Sequence, residues 1–192
     1  MSSIHRAVLW PAAWAVSNYL LSEPDLRDNL SSLSILELGT GTGLVSIAAA
    51  MGGAKRILAT DYEPLALELT RYAADNIKSN IDNNKDDVPL SKRIETQLLD
   101  LCALEEQPLP TSGIDVVIAS DIMYEPKTGV AMAHRAVEAL RQNCRVIVGD
   151  SPGRVRNKRF ESFRCCFILR QLCILMWYMY ESAVYLPCFF IE

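Results

Sequence analysis

"ILELGTGTGLVSIAAA", Ile35 to Ala50, joins an apolar run, a glycine-rich turn and a small-residue helical pattern end to end. Ser34 to Leu38 reads as a buried parallel strand, and Leu44 to Met51 as a helix that starts directly after the glycines. The spacing within the turn narrows what it can hold. A dinucleotide fingerprint, G-x-G-x-x-G/A, needs a small third residue so that helix and strand pack closely. Counting from Gly39 and Gly41 puts Leu44 at that position, and counting from Gly41 and Gly43 puts Ser46 there. Neither is Gly or Ala, so hydride chemistry on a nicotinamide is disfavoured. What the chain carries is Glu37 followed by Gly39, Gly41 and Gly43, an acidic residue ahead of three alternating glycines.

Outward from the turn, strands and helices alternate. Arg56 to Thr60 is a second strand. Glu63 to Ser79 is a helix with Leu65, Leu69, Tyr72, Ala73 and Ile77 on one face. Asn80 to Leu90 is rich in Asn and Asp and reads as a solvated loop. Arg93 to Leu99 gives a third strand ending at Asp100, and "EEQPLPTSG" a further loop. Ile114 to Ser120 has the unbroken apolar run of a central strand, Lys127 to Asn143 is helical through Val130, Ala133, Val137 and Leu140, and Arg145 to Gly149 is a fifth strand. The fold expected is α/β: a single doubly wound, Rossmann-like domain with a mostly parallel central sheet and helices on both faces. Residues 1–33 form a helical lead-in, 34–159 the core, and 160–192 an atypical hydrophobic ending. That ending reads as a helix followed by closing strands, or as a stretch that is not the domain's proper finish. Arg170, Gln171 and Glu181 break it before roughly 20 apolar residues accumulate, so no membrane insertion is expected.

Composition sets outer limits. The chain has 192 residues and a net charge of −4, without the basic stripe of a nucleic-acid binder, so nucleic acid is not expected as a partner. No secretory signal opens the chain, and among its six cysteines Cys165 and Cys166 are adjacent, which points to free thiols in a reducing compartment. With His5 and His134 as the two histidines and no Cys-x-x-Cys, a metal site is not expected. A monomer in the cytoplasm is the expectation, with the mitochondrion as alternative. No G-x-S-x-G elbow or phosphate-binding P-loop occurs.

The Glu37-to-Gly43 pattern resembles the cofactor loop of class I S-adenosylmethionine-dependent methyltransferases. That resemblance implies S-adenosyl-L-methionine as cofactor, with Glu37 near its methionine amino group and Gly39, Gly41 and Gly43 letting the backbone approach it. Asp61, at the end of the second strand, can accept from both ribose hydroxyls. Tyr62 either covers the adenine or packs, and Asp100 either meets the adenine amino group or caps a turn. "DIMY", Asp121 to Tyr124, and the tryptophan-bearing stretch Val8 to Leu21 are similar to the methyltransferase 16 family, mostly protein lysine methyltransferases. "GDSPGR", Gly149 to Arg154, looks most like the branch acting on the β subunit of electron transfer flavoprotein. The resemblance implies a protein lysine acceptor. Asp121 would orient the amine, Tyr124 would contact or wall the lysine channel, and Trp10 would flank the cofactor or channel or else lie in the core. Arg154, Arg156, Lys158 and Arg159 form a basic turn, solvated or facing an acidic partner. A small-molecule N- or O-methyltransferase, or an inactive remnant, is the alternative.

Overall fold

A computed structural model describes residues 9–79, 88–151 and 165–169. Three of its helices begin on a proline whose missing N–H costs nothing at a first helical position: α1 (Pro11–Ser22), α4 (Pro64–Asn76) and α5 (Pro126–Arg141), with the short α2 (Pro24–Arg27) starting the same way. α5 is also closed by a capping box between Glu125 and Thr128. α3 (Leu44–Met51) needs no such device, because the glycine turn delivers it directly from β1 (Ser34–Leu38).

The remaining strands are β2 (Arg56–Asp61), the two-residue β3 (Lys78–Ser79) and β4 (Val88–Pro89), β5 (Ile94–Leu98), β6 (Val116–Ser120), β7 (Arg145–Asp150) and β8 (Cys165–Leu169). They make one six-stranded sheet in the order β5-β2-β1-β6-β7-β8, and β3 pairs with β4. β5 through β7 are parallel, and β8 runs antiparallel to β7. Leu36 of β1 stands beside Leu58 of β2 and Val117 of β6, so the glycine turn leaves from the centre of the sheet. A mostly parallel sheet was the expectation.

Strand side chains alternate between two apolar layers. Ile35, Ile57, Ile118 and Ile147 pack with Val16 and Leu20 of α1 and Val45 and Ala49 of α3. On the opposite face Leu36, Leu58, Val117 and Val146 pack with Met132, Ala136 and Ala139 of α5 and with Leu99, Leu109 and Ile114 from the β5–β6 connection. Helices therefore cover both faces, as expected.

Several local expectations are corrected. The helix after β2 ends at Asn76 rather than Ser79, because Ile77 is already extended and the next residues pair as β3. The face of α4 is rotated from its stripe of large apolar residues, while on α5 Leu140 is buried, Ala133 and Val137 pack against the core as expected, and Val130 alone of the stripe departs. Ala66, Leu67, Thr70 and Ala74 are buried on α4, whereas Leu65, Leu69 and Tyr72 face solvent. On α5 the buried positions include Ala131, Ala136 and Ala139, whereas Val130 is exposed. The fourth strand starts at Val116, since the Asp115 carboxylate turns back to accept the Ser34 amide at 2.7 Å. Cys102 and Cys144 are free thiols, and among the described residues no helix is long and apolar enough to cross a membrane. Of the hydrophobic ending, β8 lies in the sheet. The rest of that ending, residues 80–87 of the loop after α4, and the basic turn at 154–159 fall outside the described residues.

Candidate functional site

The carboxyl ends of β1, β2 and β6 converge on the glycine turn, which is fastened sideways to β2. The Thr40 amide donates to the Thr60 carbonyl, and the Gly41 amide donates to a carboxylate oxygen of Asp61, each at 2.9 Å. The second Asp61 oxygen accepts from the Glu63 amide at 2.9 Å. This buried carboxylate thus braces the glycine turn and the entry to α4 together.

Beneath the turn lies Glu37, fully enclosed in the central strand. Its Oε2 accepts from the Thr40 hydroxyl at 2.9 Å, the Ser46 amide at 3.1 Å and the Ser46 hydroxyl. Burial pushes the Glu37 carboxyl up to about 7; the bonds from Ser46 and Thr40 pull against that rise, and the Asp61 charge adds to it.

Two of the glycines use their missing side chains differently. A Cβ on Gly39, at φ +71°, would stand 2.6 Å from Cγ2 of Ile122, so the turn and the DIMY segment touch. At Gly41, φ +55°, a Cβ would meet nothing within 4 Å: its amide is tied to Asp61 while its outer side opens away from the protein. Gly43 precedes α3 and accepts the Ile47 amide at 2.9 Å. Gly39→Ala therefore combines left-handed strain with overlap, and we expect a loss of about 2–3 kcal/mol in urea denaturation. Pairing it with Ile122→Ala recovers the overlap part but not the backbone part. Strictly additive losses in that double-mutant cycle would mean that the two segments do not touch.

At the end of β6, Asp121 adopts φ +54° and donates its own amide to the Gly149 carbonyl at 2.9 Å. Its carboxylate accepts the Ala12 amide at 2.8 Å through one oxygen and the Ser151 amide at 2.9 Å through the other. Ala12 lies in the first turn of α1, where amides have no partner within the helix. Asp121 thus caps that helix across 109 residues of sequence and holds the half-exposed Trp10, the residue ahead of Pro11, at the same joint.

Tyr62 and Tyr124, expected on opposite sides of the site, meet. Their hydroxyls share a hydrogen bond, and about half of each side chain is exposed. Partial burial, that bond, and the charges of Glu125 and Asp61 push the Tyr124 phenol up to about 12. It keeps its proton at neutral pH and is a hydrogen-bonding group, not a base.

Asp100 lies beside β2, since the Leu99 amide donates to the Asp61 carbonyl at 2.9 Å. Its Oδ1 accepts the Cys102 amide at 2.8 Å, so the exposed carboxylate also caps a turn. Sequence reasoning missed Thr40 and Ser46 as partners of Glu37, and Arg135 with Glu138 as supports of the Asp100 loop. Ser46, a polar residue in the first turn of an otherwise apolar helix, was a readable signal; Arg135 carried none.

The family model described as lysine methyltransferase matches residues 2–162. The electron transfer flavoprotein beta subunit lysine methyltransferase of Homo sapiens is 48% identical over 65 residues, which are 34% of this chain and 24% of that protein. Protein N-lysine methyltransferase METTL21A of Danio rerio is 32% identical over 159 residues, 82% of this chain and 64% of that protein. The chain spans less than two thirds of the length of these relatives. Among solved structures, magnesium protoporphyrin IX methyltransferase from Synechocystis with bound SAH aligns at a TM-score of 0.52 and 16% identity, covering 79% of this chain and 61% of that one. That likeness bears on the fold alone.

Proposed function

Because the chain belongs to the lysine methyltransferase family, we propose that it transfers a methyl group from S-adenosyl-L-methionine to a lysine side chain of a protein. The observation that carries this reading is the pairing of the Gly41 amide with Asp61 above the buried Glu37, with open space outside Gly41. The residues fit the group: an open cradle on the turn at Gly41, the Asp61 and Asp100 carboxylates beside it for hydroxyl and amino partners, and the buried Glu37 beneath it as a source of negative charge.

When bound, the cofactor would supply an electrophilic methyl on a sulfonium sulfur to a neutral amine, with S-adenosylhomocysteine as the leaving group. The chain's own part is orientation. Glu37 offers negative charge to the methionine ammonium, and Asp61 receives ribose hydroxyls while still holding the Gly41 amide. Asp100 would take the adenine amino group, and Tyr62 would cover the adenine. The acceptor lysine, with a reference pKa of about 10.4, must shed its proton before its lone pair can attack. Asp121, Tyr124 and Trp10 line the acceptor side, where Asp121 aligns the amine more than it deprotonates it, because a nearby carboxylate favours the ammonium form. The net charge of −4 supports a protein acceptor over nucleic acid, and a monomer suffices for all these roles.

S-adenosylhomocysteine at 100 times its dissociation constant should raise stability by about 2.7 kcal/mol, read as an upward melting shift. A shift with NADH and none with S-adenosylhomocysteine would overturn the reading. For the acceptor, a cell lysate incubated with the protein and deuterated-methyl cofactor should yield labelled lysine by mass spectrometry. The electron transfer flavoprotein β subunit is the first purified candidate, given the similarity to its methyltransferase. Label appearing only on small metabolites would replace the protein acceptor with a small-molecule one.

A further inference from the structure

Between β5 and β6 the chain runs through residues 99–115 without a helix or strand, a long connection of the kind that is uncommon unless it serves a site. Its shape is imposed from α5. The guanidinium of Arg135 is fully buried, and it donates through Nε to the Leu101 carbonyl at 3.1 Å and through Nη2 to the Asp100 and Ala103 carbonyls at 3.3 and 3.1 Å. Through Nη1 it reaches Glu138 Oε2 at 2.9 Å, and Glu138 Oε1 accepts the Leu109 amide at 2.6 Å. The Asp100 amide is held in turn by Gln107 Oε1 at 2.8 Å.

Burying a cation is a poor way to gain stability, since an apolar side chain of similar volume often serves as well or better. What an apolar residue cannot do is fix direction. The planar fork of Arg135 sets three carbonyls around Asp100, and this leaves the Asp100 carboxylate at one place beside the end of β2.

We propose that Arg135 is a positioning residue that makes the site selective for a 6-amino purine, by holding the loop that presents Asp100. This rests on the cofactor reading above, in which Asp100 accepts from the adenine amino group. A 6-oxo purine presents an acceptor to the same carboxylate and is rejected. The selectivity is lost when the loop is free to move, even though Asp100 itself is retained.

The test compares S-adenosylhomocysteine with its deaminated analogue, S-inosylhomocysteine, by titration calorimetry well below the melting temperature. The proteins are the wild type, Arg135→Lys and Glu138→Gln. The wild type should prefer the amino form by about tenfold or more, the worth of one hydrogen bond to a charged acceptor. Both variants should fall to within about threefold between the two ligands, chiefly by weaker binding of the amino form. A merely structural role would lower both affinities together and leave their ratio unchanged, which would overturn the proposal. Should Arg135→Lys fail to fold, Glu138→Gln carries the same ratio test from a half-exposed position. Wild type that binds neither ligand would sink the cofactor reading; wild type that binds both equally would sink this inference alone.

Discussion

Asp121→Asn should lower stability by about 2–4 kcal/mol, because the buried Ala12 amide and the partly buried Ser151 amide both donate to the carboxylate that is altered. Asparagine tolerates the positive φ of this residue, so the loss isolates the side chain. It keeps one acceptor oxygen, but its NH2 must face the other amide, which is then left without an acceptor. For a chain of this size the melting temperature should fall by roughly 5–15 °C. Asp121→Ala should cost more, as both bonds are lost and alanine resists the left-handed backbone. An unchanged melting temperature would mean that the joint between α1, β6 and β7 is held by packing alone. The acceptor-side role is separable on the same protein. Single-turnover methylation, measured where Asp121→Asn is fully folded and saturated with cofactor, should fall further than the folded fraction explains. Turnover that tracks only stability would reduce Asp121 to the cap of α1.

A second large effect concerns Glu37 and pH. Its carboxyl is raised in the folded state from 4.5 to about 7, so the folded chain binds this proton more tightly than the unfolded chain does. The stabilising contribution is complete below the unfolded value and is lost as pH rises through the folded one. Glu37→Gln keeps an acceptor for Thr40 and Ser46 and has no charge to desolvate. We expect urea denaturation to show the variant gaining on the wild type by roughly 3 kcal/mol between pH 4.5 and 8. A gap that stays constant with pH would mean that Glu37 ionises in the ordinary range. Cofactor binding should run the opposite way. A methionine ammonium held over the turn above Glu37 would favour its charged form, so wild-type affinity for S-adenosylhomocysteine should rise across the same interval, with proton release on binding. Glu37→Gln should bind more weakly and lose that dependence.

The strand–turn–helix at Ile35 to Ala50 was readable to the residue because three signals agree there: continuous apolar burial, alternating glycines and an immediate small-residue helix. The face of α4 was not, nor was the place of Val130 on α5. Periodicity weighs large aliphatic side chains, whereas close approach of helix to sheet selects Ala66, Thr70 and Ala74, or Ala136 and Ala139, and leaves Leu65, Leu69 and Val130 outside. Within the site, residue types were legible but their partners were not. Nothing local to Asp121 announces that its oxygens meet amides 109 and 30 residues away. Arg135 carried no signal, because a buried guanidinium depends on carbonyls more than 30 residues distant. The same applies to Tyr62 and Tyr124, whose meeting follows from the adjacency of β2, β1 and β6 in the sheet.

The link from Ala12 to Asp121 also sets a clock for synthesis. α1 leaves the ribosome well before β6, since the acceptor for its leading amide is made 109 residues later, and Ser151 later still. At about 5–20 residues per second, the helix waits roughly 5–20 s for its cap. Over that interval β1, α3 and β2 can pair in order and offer Ile35, Val45 and Ile57 to the apolar side of α1, while its leading amide waits for an acceptor. The joint of α1 with β6 and β7 is therefore assembled late, and the nascent chain can present the glycine turn before Asp121 caps the helix beside it.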